Sequence, residues 1–171
     1  MRRLTLPALL ILAAGCGGNH SGGHSSPPAQ AVPQVFAAPT PYQRAGFSAA
    51  EVKKLDDELP GKARQVLEQA DEVEVFSMSE DRRTVAVKGD AKSEVDDAFY
   101  EGVIHPEPMA GCFKPHHGLR AKSGGDEVEI RICFTCKNFA LKWGLAESFG
   151  GRMGPMSRGP EATFNRVLGV R

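Results

Sequence analysis

Apolar residues follow helical spacing in the first part of the folded region, from residue 48 to residue 70. Ser48 is followed three positions later by Glu51, and this capping-box pattern predicts the start of a helix. Pro60 must interrupt that helix and suits the first turn of a second one, because proline has no N–H to donate. The second segment carries its apolar residues on one face: Ala63, Val66, Leu67 and Ala70.

After residue 70 the apolar period changes to two, which predicts β-strands. Valines alternate with polar residues in DEVEVFSM, residues 71–78, and again in RTVAVKG, residues 83–89, with a turn between them. Residues 92–104 return to helical spacing, and Ser93 is the candidate N-cap of this helix. Its acidic side chains, including Asp96, are expected on a solvated face.

Residues 118–130 predict a hairpin, because Gly124 and Gly125 can supply the positive φ angles of a two-residue turn. In the resulting register charged residues pair on one face and apolar residues pair on the other. The expected pairs are Lys122 with Glu127, Arg120 with Glu129, Ala121 with Val128 and Leu119 with Ile130.

Apolar residues then change from even positions, ending at 134, to odd positions, starting at 139, which requires a turn or bulge between Phe134 and Asn138. Residues 148–159 are expected to be a glycine-rich loop, and Pro160 to start a short last helix. The element order and the hairpin-length connections predict an α+β domain. Its antiparallel sheet has about five strands, with helices packed on one face.

The chain begins with the layout of an export signal. Met1-Arg2-Arg3 is basic, and residues 4–14 are apolar apart from Thr5 and Pro7. This run is too short to be retained as an anchor, since a spanning helix needs roughly 20 apolar residues. We expect residues 1–15 to be a signal peptide that is removed.

The segment Leu12-Ala-Ala-Gly-Cys16 resembles the lipobox of bacterial lipoproteins, in which small residues precede a cysteine that is lipidated before cleavage. The resemblance implies a covalent lipid on Cys16 that tethers the chain to a membrane surface in the cell envelope, facing the periplasm. An ordinary secreted protein cut nearby and an uncleaved anchor remain alternatives.

The rest of the chain divides into a linker and one domain. Residues 16–47 form the lipidated N-terminus and a flexible linker rich in Gly, Ser and Pro, and residues 48–171 are long enough for a single core. Removing residues 1–15 takes away Arg2 and Arg3 and leaves 19 basic residues against 21 acidic ones. This balance gives no electrostatic case for binding nucleic acid.

The candidate chemistry lies in cysteines and histidines between residues 112 and 136. The three cysteines left after Cys16 make one disulfide with one thiol over, whereas a metal uses an odd number without difficulty. The spacing predicts a structural zinc site, with ligands drawn from Cys112, His116, His117, Cys133 and Cys136.

Continuing the hairpin register sets the two histidines on different faces. His116 falls opposite Cys133, whereas His117 falls on the apolar side opposite Ile132. One alternative is a structural disulfide with a buried free thiol. The other is a redox-active Cys133-Phe-Thr-Cys136, which is disfavoured because redox CxxC motifs usually stand at a helix N-terminus.

The segments Cys112-Phe-Lys-Pro-His-His-Gly-Leu-Arg120 and Ile132-Cys-Phe-Thr-Cys136 resemble a pattern in small bacterial proteins, many of them exported. The resemblance favours His117, directly before the glycine, as the site histidine, and implies no activity. We find no catalytic residues and no nucleophile motif or phosphate loop, so whether the domain is an enzyme stays open. The sequence favours a tethered interaction domain with a structural cysteine cluster, and a thiol-redox or metal-handling envelope protein is the alternative.

Overall fold

A computed structural model describes residues 46–144 and 150–170, which lie within one compact unit, Ala37–Arg171. The predicted signal peptide, Cys16 and nearly all of the linker lie outside the described residues. The helices are α1 (Ala49–Glu58), α2 (Gly61–Gln69), α3 (Gly89–Ile104) and α4 (Glu161–Leu168). The strands are β1 (Glu72–Ser77), β2 (Thr84–Lys88), β3 (His117–Ser123), β4 (Asp126–Cys133), β5 (Asn138–Trp143) and β6 (Gly150–Pro155).

The strands form one antiparallel six-stranded sheet in the order β2-β1-β3-β4-β5-β6. Helix α3 carries the chain from edge strand β2 back to β3, on the far side of β1. The four helices pack on one face, which confirms the α+β class and the antiparallel sheet with its helices on one side.

Alternation along the strands separates a core face from an open face. Odd positions of β1 and even positions of β4 point toward the helices and are buried. The core face carries Val73, Val75, Leu119, Ala121, Val128, Ile130, Ile132, Phe139 and Leu141. These side chains pack against Leu59, which follows α1, and against helix residues Leu55, Val66, Leu67, Val95, Phe99, Val103 and Phe164.

The hairpin register predicted from the sequence is confirmed pair by pair. Arg120 pairs with Glu129 and Ala121 with Val128, and the ladder runs to His117 opposite Ile132. Gly124 and Gly125 adopt φ angles of 59° and 87°, the left-handed conformation that the tight turn requires. The capping box of α1 is also present, because Glu51 binds the backbone N–H of Ser48 at 2.7 Å.

The predicted N-cap of the third helix was wrong. Helix α3 begins at Gly89, four residues before Ser93, because Gly89 has a φ of 55° that lets the chain turn directly out of β2. The expected solvated position of Asp96 was also wrong. Asp96 is buried, and its carboxylate pairs with the Lys92 ammonium at 2.5 Å.

Residues 150–155 form strand β6 rather than part of the predicted glycine-rich loop. The sequence pattern did not predict this strand, because its glycines supply no alternation of apolar side chains. Packing explains why residue 154 is a glycine, because a Cβ there would lie 2.6 Å from the Phe139 ring of the neighbouring strand. The absence of a side chain thus lets β6 pack against β5.

Candidate functional site

Residues 106–116, here called the covering loop, connect α3 to β3 and lie across one end of the open sheet face. The backbone N–H of Ala110 donates to the Cys136 carbonyl at 3.0 Å. The side chain of Asn138, on β5, donates from Nδ2 to the Cys112 carbonyl at 2.8 Å. The loop is therefore held to the turn between β4 and β5 by backbone and side-chain contacts.

A disulfide joins Cys112 of the covering loop to Cys136, with the two Cα atoms 5.7 Å apart. Cys136 lies in the four-residue turn between β4 and β5, which confirms the bend predicted from the change of parity. Cys112 is exposed, whereas Cys136 is only 2% exposed. The disulfide thus links an exposed residue of the covering loop to a buried residue of the turn.

Cys133 is a free thiol with no exposed surface. It ends β4, is paired with Asn138, and stands beside the core residue Ile132, so alternation places its side chain on the open face. Both Cys133 and Asn138 are nevertheless buried, because the covering loop closes over them. The backbone N–H of Cys136 donates to the Cys133 sulfur at 3.2 Å.

His117 begins β3 on the opposite, core face of the sheet. Its Nε2 is hydrogen-bonded to Oδ1 of Asn165, on α4, at 2.8 Å. The ring meets Phe134 and Phe164 edge-on, with centroids 5.2 Å and 6.3 Å away. These contacts fix the orientation of the imidazole.

Burial lowers the pKa of His117 below its ordinary value of 6.5, because a desolvated imidazolium is unfavourable. The hydrogen bond to Asn165 and the charge of Glu161 act in the opposite direction but do not outweigh burial. His117 also borders a cleft of about 330 Å³ together with Ser77, His116 and Glu161. With its pKa lowered, the imidazole that borders this cleft is neutral at neutral pH.

The open face carries an ion-pair network centred on Arg120 of β3. Its guanidinium contacts Glu129 at 2.8 Å and Glu74 at 3.1 Å, and stacks 5.3 Å from the centre of the Phe76 ring. The hydrogen bond that Arg120 donates to the Glu129 carboxylate raises the pKa of Arg120. Burial alone would raise the pKa of Glu129, but hydrogen bonds from Arg120 and Arg131 lower it. Opposite charges therefore neutralise one another along this face.

The five candidate zinc ligands do not meet at one point. The three cysteines lie under or in the covering loop on the open face, whereas His117 is on the core face and His116 lies exposed at the cleft. The β3–β4 ladder ends at His117–Ile132, so the expected pairing of His116 with Cys133 is not formed. The backbone N–H of His116 instead donates to the Ile132 carbonyl, at 3.1 Å.

Two of the three sulfurs are bonded to each other. Over the part of the chain that the structure describes, no three His, Cys, Asp or Glu side chains are grouped to hold a metal ion. The zinc site stays a prediction. The arrangement present is that of the alternative with one disulfide and a buried free thiol.

Sequence reasoning missed the two asparagines that position the cysteines and His117. Asn138 tethers the covering loop and Asn165 orients the imidazole, and neither stands in a motif. Asn138 had one indirect signal, since it occupies the residue at which the apolar parity changes. Asn165 had none, because its role depends on how α4 packs against β3.

Comparison of the chain with protein-family models, with curated proteins and with solved structures found no match in any of the three. None of the helices within residues 46–144 and 150–170 combines the length and the apolar character needed to cross a bilayer.

Proposed function

We propose that the chain is an exported lipoprotein, held at a membrane surface by a lipid on Cys16, whose α+β domain serves protein interaction rather than catalysis. The observation that carries this proposal is the disulfide between Cys112 and Cys136. Structural disulfides persist in oxidising compartments, and the basic and apolar N-terminal pattern independently predicts export to such a compartment.

Burial supports a structural role for the cysteine cluster, meaning Cys112, Cys133 and Cys136. A thiol oxidoreductase needs an accessible thiolate in its CxxC motif, whereas Cys133 and Cys136 are 0% and 2% exposed. The disulfide and the Asn138 hydrogen bond together hold the covering loop on the sheet. The cluster then stabilises the domain by constraining the covering loop, in addition to the hydrophobic core.

Lipidation is tested by labelling cells with palmitate and isolating the full chain, with and without the signal-peptidase inhibitor globomycin. We expect label in the mature chain, accumulation of the precursor under globomycin, and no label in Cys16→Ser. A labelled Cys16→Ser chain, or processing that globomycin does not affect, would contradict a lipid on Cys16.

The role of the cluster is tested on the same detergent-solubilised chain by native mass spectrometry with and without chelator. We expect a mass lower by two hydrogens than that of the fully reduced chain, one alkylatable thiol after denaturation, and no mass change with chelator. A bound zinc ion together with three alkylatable thiols would overturn the structural disulfide and restore the zinc site.

A further inference from the structure

The cysteine cluster comprises exposed Cys112 in the covering loop and buried Cys133 and Cys136 beneath it. Cys112 and Cys136 are bonded, and the Cys133 sulfur receives the Cys136 backbone N–H at 3.2 Å. A third contact is independent of these two: Asn138, the cross-strand partner of Cys133, holds the Cys112 carbonyl at 2.8 Å. The free thiol therefore lies beside Cys136, one end of the existing disulfide.

We infer that Cys133 exchanges with this disulfide, moving it from Cys112–Cys136 to Cys133–Cys136 and presenting Cys112 as an exposed thiol. The Cys133 thiolate attacks the Cys136 sulfur, a new S–S bond forms, and the bond to Cys112 breaks. The electron pair of the broken bond stays on the Cys112 sulfur, which takes up the proton that Cys133 lost. No external oxidant or reductant is consumed, because one thiol and one disulfide are present before and after.

Three features of the site suit this exchange. The Cys136 N–H already donates to the attacking sulfur, which holds Cys133 beside the residue that it attacks. The attacked sulfur lies in the four-residue turn that begins directly after Cys133, so both reacting residues are close along the chain. The leaving sulfur belongs to exposed Cys112, on a loop that can move once it is released.

The product differs from the starting fold in what it exposes. A Cys133–Cys136 bond links the end of β4 to the turn that follows it. The covering loop is then held only by noncovalent contacts such as the Asn138 hydrogen bond. The freed Cys112 thiol then becomes the reactive position for external disulfides and electrophiles. This inference rests on the structural disulfide of the proposed function. It adds that the bond between Cys112 and Cys136 can be opened without a reductant.

The test is time-resolved alkylation of the native full chain in detergent with excess N-ethylmaleimide, followed by peptide mapping that assigns adducts and disulfides to residues. We expect the adduct to accumulate on Cys112 with Cys133–Cys136 linked. An adduct on Cys133 with Cys112–Cys136 intact, or no adduct before unfolding, would overturn the exchange while leaving the structural disulfide in place.

Two variants separate exchange from simple exposure. Cys133→Ser keeps the disulfide but has no attacking thiol, so it should show no adduct on Cys112. Circular dichroism confirms that this buried substitution leaves the fold intact, and Cys133→Ala serves if it does not. Cys112→Ser leaves Cys133 and Cys136 as thiols, and oxidised glutathione should join them with loss of two hydrogens. Failure to form that bond would also overturn the proposal.

Discussion

Removal of the disulfide should lower the stability of the domain by several kcal/mol. Cys112 and Cys136 are 24 residues apart. The loop-closure relation for a cross-link of that separation gives about 3.5 kcal/mol, because the bond restricts the unfolded chain. The double substitution Cys112→Ser with Cys136→Ser removes this restriction while keeping residues of similar size. The hydrogen bond from Asn138 to the covering loop remains in this variant. We therefore expect little additional loss of stability from changes in the folded state.

Urea denaturation of the chain from residue 17 onward, exported with a replaced signal and without lipid, measures this loss. With a urea dependence of about 1–3 kcal/mol/M, the midpoint should fall by roughly 1–3 M. Dithiothreitol should lower the wild-type midpoint by the same amount and leave the double variant unchanged. The Cys133→Ser variant keeps the disulfide, so dithiothreitol should lower its urea midpoint as it does for the wild type. A double variant within about 1 kcal/mol of the oxidised wild type would refute the idea that the bond constrains the unfolded chain.

Three further substitutions test the fold and the cleft. Asp96→Ala leaves the buried Lys92 ammonium without its carboxylate and should lower the free energy of unfolding by about 3–5 kcal/mol. Replacing Lys92 by Met and Asp96 by Leu together should lower the free energy of unfolding far less. Gly118→Ala places a Cβ 2.6 Å from a backbone oxygen of β4 and should cost about 1–3 kcal/mol, whereas Gly111→Ala, in open space, should change the urea midpoint little. Because burial lowers the pKa of His117 in the fold, the unfolded chain protonates first as the pH falls. The stability from neutral His117 is therefore full above pH 6.5 and is lost below it, by at most about 1.4 kcal/mol per pH unit. His117→Gln should flatten that part of the measured pH dependence of stability, and an unchanged slope would contradict a depressed pKa.

Local patterns in the sequence predicted those parts of the fold in which neighbouring residues determine the geometry. The glycine pair at residues 124 and 125 and the charges on either side of it determine the hairpin, so the register follows without tertiary information. The capping box of α1 and the bend before Asn138 are local in the same sense. Strand β6 and the start of α3 were missed, because their glycines serve backbone conformation and close packing, which leave no apolar period.

The candidate site shows a second limit of prediction from the sequence, which concerns the residues that meet there. Alternation along the hairpin was enough to separate His117, opposite Ile132, from the face on which Cys133 lies, and the structure has that separation. The choice of Cys112 as partner of Cys136 was beyond reach, because it depends on where the covering loop crosses the sheet. That crossing is held by Asn138, a single amide 26 residues from the Cys112 carbonyl that it binds. A Cys₃His zinc site required the three cysteines and one of the two histidines on one side of the sheet. The disulfide requires only that the covering loop bring Cys112 to the turn that holds Cys136. With the cysteines on the open face and His117 on the core face, the disulfide makes the smaller demand on the fold.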